Sequence, residues 1–168
     1  MFDLETRKKY TKDIVETVSK TMLSFINNQK VCGWLMVILH AIFGIYLMFF
    51  LITQEINNMY HIYTFMWVIV IYLNYYFNGC ILSRIEKNIF QDKMWGGPIS
   101  VLLYMFYDTP PDKSSLNNFI KYVFATPLSI IIILKYIYYE NPISIFIMIL
   151  LIPLSLIHSQ CNIFNYTM

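Results

Sequence analysis

Hydrophobic positions along this chain gather into four long runs, at residues 31–53, 61–83, 119–139 and 142–158. At about 1.5 Å per residue, helical runs of about 17 to 23 residues reach across the roughly 30 Å hydrocarbon layer of a bilayer, so the pattern predicts four membrane-spanning helices. Ahead of them Ile14, Val18 and Met22, with Phe25 and Ile26 close by, recur at helical spacing, while Asp13, Glu16 and Lys20 point elsewhere. That stripe predicts an amphipathic helix lying on the membrane, although a solvated helix or a partner-binding one would carry the same pattern. The expected fold is all-α, an integral membrane four-helix bundle (residues 31–168) preceded by an amphipathic cytoplasmic segment (residues 1–30).

The connections differ in kind. Tyr138-Tyr139-Glu140-Asn141-Pro142 is a tight reversal in which Asn141 can cap and Pro142 suits a first helical turn, so the last two spans must form an antiparallel hairpin. Pro127 and Pro153 fall inside those spans, where each removes a backbone donor and should kink its helix. The central loop, residues 84–118, is the least regular part. Residues 84–94 read as a continuation of the second span, broken at Gly96-Gly97-Pro98. Residues 99–107 are apolar but too few to cross as a helix, which makes them an interfacial or re-entrant segment, and residues 108–115 read as a solvent loop.

Charge orients the bundle. Six basic residues (Arg7, Lys8, Lys9, Lys12, Lys20, Lys30) precede the first span, residues 54–60 have none, and Arg84, Lys87, Lys93 and Lys113 lie in the central loop. The positive-inside bias then puts the N-terminus, the central loop and the C-terminus on the cytoplasmic side. Lys135, near the outer end of the third span, is expected to snorkel to the headgroups beside Glu140. The basic start offers no secretory signal pattern, and the sequon at Asn165-Tyr166-Thr167 falls on the wrong side of the membrane for glycosylation. With 58% hydrophobic and 13% charged residues, a water-soluble fold would lack the polar surface to cover itself. A net charge of +2, scattered along the chain, argues against nucleic-acid binding. The abundance of Ile, Phe and Tyr beside two alanines fits an A/T-biased genome, so aromatic content is no sign of ligand stacking. Expected partners are the lipid bilayer and other membrane proteins or a second copy of the chain.

Candidate chemistry gathers at the end of the second span. At about 100° per residue, Trp67, Ile71, Asn74 and Asn78 share one stripe, which suits interhelical hydrogen bonds. Cys80 and Ser83 lie on another face, followed by Arg84, Glu86 and Lys87, which read most plainly as a helix end snorkelling its charges at headgroup level. His40 is the only ionisable group deep inside a span, with Gly33 and Gly44 on its face. It is either a neutral imidazole bonded to Asn74, Asn78 or a hydroxyl across a close glycine contact, or part of a working site. Cys32, Cys80 and Cys161 form no C-x-x-C pair, and His61 and His158 do not match His40 in depth, which disfavours bis-histidine haem. His40, Cys80 and Glu86 have acceptable metal-ligand types without a signature spacing. Phosphate loops, zinc-protease and serine-hydrolase motifs and selectivity filters are absent, and no cofactor is expected.

Cys80-Ile81-Leu82-Ser83-Arg84-Ile85-Glu86 resembles the Cys-x-Leu-Thr/Ser-x-Leu/Ile-Glu signature of an uncharacterised family of small four-span membrane proteins. His40-Ala41-Ile42-Phe43-Gly44 is similar to that family's first-span histidine element, with Trp95-Gly96-Gly97 as a third segment, although the Pro that often follows the Cys is missing. The chain's Cys-x-Leu-Ser segment also resembles ones in membrane proteins of large DNA viruses, which the A/T-biased composition would suit. The resemblance implies architecture and no activity. The expected function is that of a structural or accessory membrane component acting by helix packing and partner contacts. The alternative is a small membrane enzyme or redox or metal-binding protein using His40, Cys80, Ser83 and Glu86; a transporter is the weakest class, because the spans carry few acidic groups and no repeat.

Overall fold

A computed structural model describes residues 4–77, 79–91, 95, 97–98, 101 and 125–160, with the side chains of 4, 75 and 153–160 left aside. Among the described residues every regular element is a helix: α1 (Leu4–Phe25), α2 (Gln29–Thr53), α3 (Asn58–Tyr76), α4 (Ile81–Phe90), α5 (Thr126–Tyr138) and α6 (Ser144–Gln160). The expected re-entrant segment, the solvent loop and the C-terminal sequon lie outside the described residues, apart from Val101.

α2 starts where Asn28 accepts hydrogen bonds from the N–H groups of Lys30 and Val31, at 3.1 and 3.2 Å, and so takes up two of the donors a helix start leaves unpaired. Its 25 residues make it the one helix among the described residues that is long and apolar enough to cross a membrane. Asn57 caps α3 in the same way, accepting from Tyr60 N–H at 2.9 Å. The tight reversal between α5 and α6 follows expectation, except that α6 begins at Ser144, so Pro142 stands in the turn ahead of it rather than in its first helical turn. Glu140 adopts the left-handed conformation (φ 48), Asn141 N–H returns to the Tyr136 carbonyl at 3.2 Å, and the Asn141 side chain accepts from Ile143 N–H at 3.0 Å. Pro127 is corrected: it stands in the first turn of α5, where a missing donor is tolerated.

The second run is not one helix. α3 ends at Tyr76, closed by a bond from Gly79 N–H to the Asn74 carbonyl at 2.7 Å, and Gly79 takes φ 137, a backbone region that glycine enters freely. The chain then turns, and α4 is a separate helix packed against α1 and α2 rather than a continuation of the span. Its apolar side chains explain the turn, because Ile85 and Ile89 are buried with Val15 of α1 and Cys32 of α2. α1 therefore has its partner within the chain. Its buried face is Thr11, Val15 and Ser19, with Val18, Met22 and Leu23 alongside, whereas Ile14 and Phe25 of the expected stripe stay exposed.

A second core unites the other half of α2 with α3, α5 and α6 around Leu47, Leu51, Trp67, Ile71, Leu128, Ile132, Ile147 and Leu151. Polar bonds cross it: Trp67 Nε1 donates to Ser129 Oγ at 3.2 Å, and His61 Nδ1 lies 2.7 Å from the Tyr136 hydroxyl. They supply the interhelical bonding expected of Asn74 and Asn78. Asn74 is half-buried, its side chain makes no hydrogen bond among the described residues, and Asn78 lies outside them. Lys135 does not reach toward Glu140; its ammonium donates to the carbonyls of Leu51, Ile52 and Gln54 at 3.1, 2.7 and 2.8 Å. A cation on the last carbonyls of α2 satisfies groups that the helix end leaves open. Outward, Ile45, Phe49, Phe65, Leu134 and Ile149 are each more than half exposed, so the outer faces of α2, α3, α5 and α6 are apolar.

Candidate functional site

Two helices, the turn between α3 and α4 and the stretch after α4 meet around His40. α2 carries the imidazole near its middle, the turn after α3 delivers Cys80 as the N-cap of α4, and the first turns of α4 carry Ser83 and Glu86. α4 lies between α1 and α2, so side chains that would snorkel on an exposed helix end are enclosed: Ser83 and Arg84 are buried and Glu86 is 0% exposed. The exposed helix end expected to snorkel Glu86 and Arg84 is corrected: both side chains are enclosed within the chain. Burying a carboxylate without partners is prohibitive, and Glu86 has two. Its Oε1 lies 2.8 Å from His40 Nδ1, and its Oε2 accepts a hydrogen bond from Trp95 Nε1 at 2.7 Å.

The other imidazole nitrogen faces sulfur, with Cys80 Sγ 3.5 Å from His40 Nε2. A carboxylate on Nδ1 keeps the proton on that nitrogen, so Nε2 is left to accept a proton from the thiol or to hold it as an imidazolium beside a thiolate. The N-terminus of α4, with the positive end of its dipole, stands beside the sulfur and favours negative charge there. The groups run in series, thiol to imidazole to carboxylate to indole, each engaged with the next rather than converging on one point. Among the described residues no group of three His, Cys, Asp or Glu side chains is arranged to hold a metal ion.

Close packing holds the series in place. Gly97 has φ +92, and a Cβ there would collide with Ser83 Oγ and stand 3.8 Å from His40 Cε1, so its backbone closes one side of the site. Behind Glu86, the rings of Trp34, Phe90 and Trp95 meet edge-on or tilted, with centroids 4.9 to 6.3 Å apart. Gly33 makes room for this cluster, because a Cβ there would stand 2.5 Å from Phe90 Cε1. Gly44 makes no such contact, since nothing among the described residues lies within 4 Å of where its Cβ would be.

Of the residues singled out from sequence, His40, Cys80 and Glu86 are brought into direct contact, Ser83 adjoins them through Gly97, and Asn74 takes no part. The expectation that a neutral His40 bonds Asn74, Asn78 or a hydroxyl is replaced by Glu86 and Cys80 as its partners. Cys32 and Cys80 are both free thiols, but Cys32 is buried in the α1–α4 core away from this chain of bonds. Trp95 as the donor that fixes Glu86, and Gly97 as its lid, have no counterpart in periodicity or spacing. Their only trace in the sequence is the Trp-Gly-Gly segment. Comparison with models of protein families, with curated proteins and with solved structures finds no match.

Proposed function

We propose that this chain is a four-span membrane protein, with both ends cytoplasmic, in which Cys80, His40 and Glu86 act as a thiol-nucleophile site of a small membrane enzyme. One observation carries it: the thiol, the imidazole and the fully buried carboxylate stand in bonded sequence, with Cys80 Sγ 3.5 Å from Nε2 and Glu86 Oε1 2.8 Å from Nδ1. In such an arrangement the imidazole takes the thiol proton, the carboxylate holds the ring in the productive tautomer, and the sulfur attacks an electrophilic carbon. Trp95 keeps the carboxylate from swinging away. The chemistry is acyl transfer or hydrolysis through a thioester on Cys80.

The membrane assignment is supported by the spanning length of α2, by the apolar outer faces of four helices, and by the bias of basic residues toward the N-terminal and central segments. Membership of the four-span family is supported by the meeting of all three segments on which the resemblance rests.

The decisive measurement is the rate of iodoacetamide alkylation at Cys80, located by peptide mass spectrometry, as a function of pH in mild detergent. A working site gives alkylation well below the pH at which an ordinary thiol ionises, and His40→Ala returns the profile to that of an ordinary thiol. A Cys80 that reacts like a free thiol in both proteins overturns the proposal. It would favour a second reading, in which Glu86, joining α2, the turn before α4 and Trp95, is a lock within a structural or accessory membrane component.

A further inference from the structure

Cys80 occupies the N-cap of α4, a position that ordinarily takes an oxygen-bearing side chain to accept from a backbone N–H of the first turn. The Cys80 side chain makes no such capping bond, as suits a thiol, whose sulfur is a weak acceptor. Ser83 is the third helical residue. An N-cap side chain and one three residues on meet at a helix start, and the Ser83 hydroxyl is hydrogen-bonded to the Cys80 sulfur. Close packing holds that hydroxyl. Ser83 is buried, and a Cβ on Gly97 would collide with its Oγ, so the Gly97 backbone stands directly against it. The same point lies 3.8 Å from His40 Cε1, which puts the hydroxyl and the imidazole on one side of the site. The sulfur thus has two polar neighbours with different capacities: His40 Nε2 at 3.5 Å can take its proton, and Ser83 can donate to it.

From this we infer that Ser83 is a further member of the nucleophile site, its hydroxyl donating to Cys80 Sγ, holding the sulfur toward His40 and stabilising the thiolate; the inference rests on the thiol-nucleophile reading above. When His40 Nε2 takes the Sγ proton, the sulfur keeps the electron pair and Ser83 keeps its own proton. The hydroxyl therefore meets a weak acceptor before the transfer and a charged one after it, and a bond to a charged acceptor is roughly twice as strong as a neutral one. The titratable and charged side chains on the elements around the sulfur are His40 on α2, Arg84, Glu86 and Lys87 on α4, Tyr76 at the end of α3, and Arg7 on α1, whose guanidinium donates to the Tyr76 carbonyl at 3.4 Å. Ser83 is neutral, so replacing it leaves every one of these groups in place.

The test follows iodoacetamide alkylation of Cys80 against pH in the full chain in mild detergent, the adduct located by peptide mass spectrometry, for the natural sequence and for Ser83→Ala, Ser83→Thr and His40→Ala. Loss of a bond to the charged sulfur should raise the midpoint of the Ser83→Ala profile by about one pH unit, which slows alkylation about tenfold below the midpoint. Ser83→Thr retains the hydroxyl and should keep the natural midpoint. A substitution that merely loosened the site would change the plateau rate at high pH and leave the midpoint where it was. If His40→Ala moves the midpoint but Ser83→Ala does not, or Ser83→Thr moves it as far as Ser83→Ala, the Ser83 inference falls and the nucleophile reading stands. A midpoint that is that of an ordinary thiol with or without His40 overturns both.

Discussion

Glu86→Ala is the substitution whose effect the structure defines most fully. The carboxylate is 0% exposed and accepts from two donors, His40 Nδ1 at 2.8 Å and Trp95 Nε1 at 2.7 Å. Removing it leaves both without a partner in an enclosed site, at about 1–3 kcal/mol each, and the sum agrees with the roughly 3–5 kcal/mol lost when one member of a buried pair is deleted. For a chain of this size about 2–4 °C of melting temperature goes with each kcal/mol, so the helical signal in mild detergent should be lost about 10 °C earlier. Glu86→Gln separates stability from chemistry. The amide oxygen can still accept from Trp95, but its NH2 then faces Nδ1, and the imidazole must move its proton to Nε2. Stability should fall by about 1–2 kcal/mol, the difference between a charged and a neutral acceptor. Alkylation of Cys80, whose proton Nε2 can no longer take, should slow by at least about tenfold at neutral pH. A Glu86→Ala protein that melts within about 2 °C of the natural one, or a Glu86→Gln protein with an unchanged alkylation profile, would refute the reasoning.

Three further outcomes are expected. Lys135→Met removes the cation from the Leu51, Ile52 and Gln54 carbonyls and should destabilise the fold by about 1 kcal/mol, with faster amide exchange at the end of α2, read by mass spectrometry. Gly33→Ala puts a Cβ 2.5 Å from Phe90 Cε1, so the Trp34–Phe90–Trp95 cluster must shift at a cost of about 1–3 kcal/mol; a change in tryptophan emission without loss of helix content would show it, and unchanged emission would count against the close approach. For topology, Asn57→Cys should label from outside intact cells and Ser115→Cys only after permeabilisation, with Asn165 unglycosylated; the reverse labelling inverts the proposed orientation.

Local signals carried the helical elements. The apolar run at residues 31–53 behind the Asn28 cap is enough to make α2 a helix of spanning length, and Asn141 with Pro142 is enough to mark the reversal from one helix to the next. The break at Tyr76 was not legible in the same way. Apolar residues run on through Ile81 and Leu82, and hydrophobicity cannot tell a helix that continues into the bilayer from one that folds back onto a neighbour. Gly79, whose positive φ makes the turn, was one glycine among five until its conformation was known. The same ambiguity misplaced Glu86. A carboxylate beside Arg84 and Lys87 looks like surface charge unless α1 and α2 are known to cover it.

By itself, then, the sequence determined the class of fold, the helix α2, the α5–α6 reversal, and the residue types, His40, Cys80 and Glu86, from which a site could be built. Those features depend on periodicity, capping and composition, which act over a few residues. Only the tertiary structure decided that the three belong to one chain of bonds, that Trp95 and Gly97 hold it, and that Asn74 stands apart. His40 and Glu86 are separated by 46 positions, and their 2.8 Å approach depends on how α4 is turned back against α2 by burial of Ile85 and Ile89 beside Val15 and Cys32. That burial joins side chains remote in sequence, and no local pattern records which of them will meet.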